Sequence, residues 1–170
     1  MMKKLKTDSC TVNYPESLQK LAVATTTLLD SKIATYRKLF DAKDNEQVIV
    51  NYFDNLEEFQ EFIYDIRGER ESLSDYAEGT YDNGMVNAYI EPSTQMEKLY
   101  TSSHELFHIY YMKYILKNDY AKRIVWYDES MAQLMSGEKD EHVNIERFKR
   151  FYLRVQGSYG RLFGHKAIWQ

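Results

Sequence analysis

A single cysteine, Cys10, rules out an internal disulfide and fits a reducing compartment. No apolar run approaches the roughly 18 residues that a membrane-spanning helix needs. Lys3, Lys4 and Lys6 make the start basic, but Thr7, Asp8, Ser9, Asn13 and Glu16 follow where a signal peptide carries its apolar core. The expectation is a soluble, cytoplasmic protein with no membrane partner, or a secreted one whose export signal was removed upstream. Long basic tracts are missing and the net charge is −4, which argues against nucleic acid as the main partner. Internal repeats and low-complexity tracts are also lacking.

The 170 residues suggest one domain, and 44% apolar with 15% aromatic residues supplies a substantial core. Tyrosine is abundant, at 15 residues. Its ring can pack while its hydroxyl reaches water or a polar partner, so this suits a half-buried cleft as well as ordinary packing.

Along the chain, residues 1–15 are polar and read as an extended lead-in ending at Pro15. Leu18, Leu21, Ala22, Thr25, Leu28, Leu29 and Ala34 then recur at helical spacing over 16–40. Residues 48–53 are β-branched and aromatic, a strand. Asp54 or Asn55 caps a second helix that carries Leu56, Phe59, Phe62, Ile63 and Ile66 and stops at Gly68. After a charged loop at 69–74, Asp82-Asn83-Gly84 marks a hairpin between strands at 76–81 and 85–90. Thr94 to Glu97 has the capping-box pattern and is expected to open a largely apolar helix ending at Lys117-Asn118. A further helix covers 126–135, and helical periodicity returns at 143–155.

That apolar helix carries His104-Glu105-x-x-His108. Residues four apart on a helix share a face, about 6 Å apart at Cβ, so both imidazoles can reach one zinc ion. Glu105 sits at the offset that holds a zinc-bound water. The spacing alone has chance odds on the order of 1 in 100. Buried without a metal, however, the three polar groups would each cost about 1–3 kcal/mol unless they found other partners. Catalytic zinc takes three protein ligands and keeps one position open, so a third ligand is expected downstream. Glu129, just inside the next helix, is preferred. Its neighbour Asp128 points about 100° away on a helix.

Taken together, His104-Glu105-x-x-His108, then Trp126-x-x-Glu129-x-x-Ala132, resembles the gluzincin clan of zinc metallopeptidases. The segment Asn87-Ala88-Tyr89 is similar to the Asn-Ala-aromatic segment on the edge strand of thermolysin-like members. The resemblance spans about 48–137, and in size the chain is closest to the compact minigluzincins, some of which are latent proenzymes. It implies one Zn²⁺ held by His104, His108 and Glu129, with Glu105 as general base and acid. The activity implied is peptide hydrolysis through a zinc-activated water, on a peptide or protein substrate paired with strand 85–90 at Asn87, Ala88 and Tyr89. The fold implied is α+β and zincin-like: a short mixed sheet with an antiparallel edge strand packed on the motif helix, and a second ligand-bearing helix. The single domain 1–170 would then divide into a lead-in and helix (1–45), sheet and motif helix (46–118), and ligand helix with C-terminal lobe (119–170).

Three departures stand out. Ser130 follows Glu129 where many members have Gly. Gln133 stands where thermolysin-like proteins place an Asp that orients a ligand His. About 30 residues follow Gly137, far fewer than most gluzincins carry. The clan also uses a Tyr or His to stabilise the oxyanion, and the candidates are Tyr152 and Tyr159, then His142 and His165. Two other readings keep the zinc: a regulated protease of one partner protein, as in the ImmA/IrrE group, and a latent or inactive zinc-binding interaction module.

Overall fold

The computed structural model describes residues 1–43, 45–68, 79–82 and 84–137. The expectations for 69–74, 76–78, Asn83 and 143–155, and for Tyr152, Tyr159, His142 and His165, lie outside these residues.

Strands β1 (Met2–Lys6) and β2 (Cys10–Pro15) open the chain as an antiparallel pair. This corrects the lead-in expected at 1–15. The period-two signal is short but real: Cys10, Val12 and Tyr14 all turn into the core. β1 is a solvent-facing edge, and its lysines suit that position because charge discourages pairing with other chains. A 3-10 turn (Glu16–Leu18) leads into helix α1 (Gln19–Leu39), which buries Leu21, Ala22, Thr25, Leu29, Ile33 and Tyr36 at three- and four-residue steps.

Strand β3 (Val48–Phe53) is the middle of the sheet. Helix α2 (Leu56–Arg67) starts where the Asn55 side chain accepts from the Glu58 N–H at 3.1 Å, and it ends at Gly68 with φ 71°. The hairpin strands are β4 (Gly79–Asp82) and β5 (Met85–Tyr89), with Gly84 at φ 74° in the turn. The sheet order is β1-β2-β3-β5-β4, with β2, β3 and β5 parallel and both outer pairs antiparallel. The architecture is thus α+β with a mixed five-stranded sheet, as expected.

Alternation gives the sheet two faces. Val48, Val50, Tyr52, Val86 and Ala88 belong to the main core with α1 and the motif helix α3 (Thr101–Tyr110). Phe53 and Tyr89 pack instead with Phe59 and Ile63 of α2. On that second face Asn13, Asn51 and Asn87 lie in register. Asn13 Nδ2 donates to Asn51 Oδ1, and Asn51 Nδ2 donates to Asn87 Oδ1, each at 2.8 Å.

The capping box does not open α3. Pro92–Thr94 forms a separate 3-10 turn, in which the Thr94 hydroxyl donates back to the Glu91 carbonyl at 3.4 Å. Turns continue to Tyr100 before the α-helix begins. Past Tyr110 the helix widens into a π turn (Tyr111–Leu116), and it ends where expected, at Lys117 and Asn118 with φ 51° and 60°. A 3-10 turn (Tyr120–Lys122) connects to helix α4 (Val125–Ser136), which stops at Gly137 with φ 86°. No described helix is long and apolar enough to cross a membrane.

Candidate metal centre

Two buried serines anchor the first turn of α3 to the core. Ser102 hydrogen-bonds the Tyr52 hydroxyl, which also pairs with Thr25 Oγ1 at 2.7 Å. The Tyr36 hydroxyl reaches the Ser103 carbonyl at 3.4 Å. The residues just before His104 are therefore tied to β3 and α1. Burial pushes both phenols up to about 12, so both hydroxyls stay protonated.

With its start fixed, α3 presents His104 and His108 one turn apart, their ring centroids 4.9 Å from each other. Helix α4 packs against α3 and brings Glu129 to the same point. The ligand atoms of His104, His108 and Glu129 all lie within 4.8 Å of one another. Glu129 Oε2 is 3.3 Å from His104 Nε2 and 3.4 Å from His108 Nε2. Bonds of about 2.0–2.1 Å from a tetrahedral zinc place neighbouring ligand atoms roughly 3.3–3.4 Å apart. A charge-assisted hydrogen bond is shorter, about 2.7–2.9 Å. Two of the three ligand edges thus have a length compatible with a shared cation, and all three lie within 4.8 Å. The donor set of two imidazoles and one carboxylate is also one that zinc accepts.

Beyond the ligands, the His108 ring is held from behind. Its Nδ1 lies 2.8 Å from Oδ1 of Asp128, which is fully buried. This contact has the length of a strong hydrogen bond, and it leaves Nε2 for a metal. Burial alone disfavours charge on His108, but its bonds to Asp128 and Glu129 outweigh it, so its pKa lies above the ordinary value. The neighbouring imidazoles, His104 first and then His108, hold Glu129 well below the usual carboxylate range. Arg123 closes the group, its Nε 2.6 Å from Asp128 Oδ2 and its Nη2 2.7 Å from Glu129 Oε1.

Glu105 is partly buried beside the ligands, and burial raises its pKa. The edge strand β4 comes close above it. A Cβ placed on Gly79 would lie 3.1 Å from both Glu105 Oε1 and Thr101 Cγ2. Two residues on, Tyr81 faces the same way and stacks on His108, with ring centroids 5.4 Å apart and planes at 29°. Burial pushes its phenol up to about 12, against the opposing influence of Arg123. A cavity of about 270 Å³ is lined by Tyr81 together with Ile109, Tyr110, Met112, Tyr114 and Tyr120. His104, His108 and Glu129 do not line it.

The sequence pattern placed His104, Glu105, His108 and Glu129 together, and they are together. The expectation for Asn87, Ala88 and Tyr89 is corrected. β5 is an interior strand, paired with β3 on one side and β4 on the other, so Asn87 and Ala88 have no free backbone edge. Asn87 and Tyr89 also face α2, away from the motif helix, and Asn87 and Ala88 are fully buried. The antiparallel edge strand against α3 is β4. At His108 the orienting acceptor is Asp128, a residue to which the resemblance gave no such role. The rotation that turns Asp128 from the ligand point is the one that aims it at the back of His108. Arg123, Tyr81 and Gly79 carried no motif. The nearest signal was the i, i+2 placement of Gly79 and Tyr81 on one strand face. Comparison with family models, curated proteins and solved structures gave no match to this chain.

Proposed function

We propose that this protein is a zinc-dependent peptidase whose metal is held by His104, His108 and Glu129. The observation that carries the reading is the pair of 3.3 and 3.4 Å separations at Glu129 Oε2, next to a partly buried Glu105. Zinc, when bound, supplies Lewis acidity, polarising a carbonyl and making a neighbouring water acidic near neutral pH. Glu105 takes the proton from the attacking water onto its carboxylate and passes it to the leaving amine. Asp128 keeps His108 in the tautomer that offers Nε2.

The substrate backbone lies along the outer edge of β4, where no described strand is paired. Adding a strand there satisfies the free backbone groups of the edge and suits an extended peptide. Gly79 leaves room between that edge and Glu105.

Metal content and hydrolysis test the two parts separately. Purified protein should carry close to one equivalent of zinc, and His104→Ala should remove it; full retention by that variant rejects the centre. Glu105→Gln should keep zinc and lose cleavage of a peptide library. Unchanged cleavage rejects Glu105 as the base. Silence of the zinc-loaded wild type on the library removes the general-peptidase reading, leaving a single-partner protease or an inactive zinc-binding module.

A further inference from the structure

The zinc reading uses one oxygen of Glu129, and the structure accounts for the other. Arg123 Nη2 donates to Glu129 Oε1 at 2.7 Å, while Oε2 faces the two imidazoles at 3.3 and 3.4 Å. The same guanidinium donates from Nε to Asp128 Oδ2 at 2.6 Å, while Asp128 Oδ1 meets His108 Nδ1 at 2.8 Å. Each carboxylate is therefore divided in the same way. One oxygen goes to Arg123 and the other goes toward the ligand cluster.

This arrangement depends on where Arg123 sits. Successive residues on a helix point about 100° apart, so Asp128 and Glu129 diverge. A single group reaches both most readily from beyond the helix N-terminus. Arg123 follows the 3-10 turn Tyr120–Lys122 in extended conformation, two residues before α4 begins at Val125. Its planar fork offers donors in fixed directions, which a lysine ammonium does not. Its charge also matters to Asp128, which is fully buried and has the guanidinium as its cationic partner at 2.6 Å.

Resting on the zinc reading, we propose that Arg123 is a positioning residue for the metal. By holding Glu129 Oε1 it limits that ligand to monodentate binding through Oε2 and keeps the remaining coordination position free for water or substrate. By holding Asp128 Oδ2 it fixes the carboxylate that orients His108. One guanidinium thus sets two of the three ligands.

The test compares wild type with Arg123→Lys, which keeps the charge without the fork, and Arg123→Met, which keeps neither. Zinc affinity is read by competition with a chromophoric chelator, and coordination geometry by the visible spectrum of the Co²⁺-loaded protein. Both variants should bind zinc about 10–100-fold more weakly, the usual scale for removing an outer-shell partner. Their cobalt bands should weaken as Glu129 becomes free to bind through both oxygens. Arg123→Lys carries the test if Arg123→Met does not fold. Wild-type affinity and an unchanged cobalt spectrum in Arg123→Lys would overturn the proposal, assigning any defect of Arg123→Met to lost charge. A fall in melting temperature of the metal-free protein, with affinity and spectrum unchanged, also overturns it by showing a purely structural role. Wild type that takes up neither zinc nor cobalt overturns the metal centre itself, and the proposal with it.

Discussion

At the scale of single residues, the carboxylates of the site separate by what surrounds them. Glu129, its side chain 46% exposed, is kept ionised by the two imidazoles, whereas Glu105 is shifted upward by burial. Such a division suits a ligand and a proton acceptor respectively. Asp128 instead pairs with the back of the His108 ring. Asp128→Asn is expected to lower zinc affinity by about 10–100-fold, since an amide no longer fixes the His108 tautomer by charge. Chelator competition measures this, and wild-type affinity would assign Asp128 to packing alone. The clustering of His104, His108 and Glu129 was legible in the sequence because sharing one metal ion would constrain residue type and spacing. Arg123 was not, because a guanidinium can reach a site from many positions along a loop.

At the scale of elements, the site is made by α3, α4 and the edge strand β4, and each had a different legibility. The helical period around His104 and the Gly137 stop were readable from local chemistry. Which hairpin strand forms the edge was not, because the two strands have similar patterns and only pairing with β3 decides between them. Gly79 records that decision, since a Cβ there would sit 3.1 Å from Glu105 Oε1 and Thr101 Cγ2, tighter than ordinary contact. Gly79→Val should therefore destabilise the fold by about 1–3 kcal/mol in denaturant titration, the range for overpacking. It should also depress hydrolysis while zinc stoichiometry stays at the wild-type level. Tyr52 links the elements from below, through Thr25 of α1 and Ser102 of α3. Replacement by Phe strands both hydroxyls and should cost about 1–3 kcal/mol. A loss under a few tenths of a kcal/mol would show that the two repartner.

Across the whole molecule, two dependences follow. Tyr36 and Tyr52 have pKa values of about 12 in the fold against 10.0 for an ordinary phenol. Below pH 10 both are protonated, folded or unfolded, and their stabilisation is fully present. Between 10 and 12 the unfolded chain loses protons that the folded one keeps, so stability falls as pH rises. Each phenol contributes a slope of about 1.4 kcal/mol per pH unit in that window. Denaturant unfolding at about pH 9 and about pH 11.5 measures it; equal stabilities would mean that these phenols ionise without opening the core. The second dependence is on metal. An ion bound only by the folded state adds RT ln(1 + [L]/Kd), about 2.7 kcal/mol at a hundredfold excess over Kd. Zinc should raise the melting temperature of wild type and leave that of His104→Ala unchanged.

Sequence alone specified α1, α2, α4, the β3 strand, the hairpin, the existence but not the start of α3, and the residues able to ligate a metal. These depend on period, capping and residue chemistry, which act over a few positions. Tertiary structure decided the rest. It turned the polar start of the chain into two strands, because β2 gains its burial only once β3 and α1 lie against it. It also put β5 inside the sheet and β4 at the edge, and brought Arg123 and Asp128 behind the ligands. Those outcomes depend on which distant surfaces meet, and no local pattern encodes that.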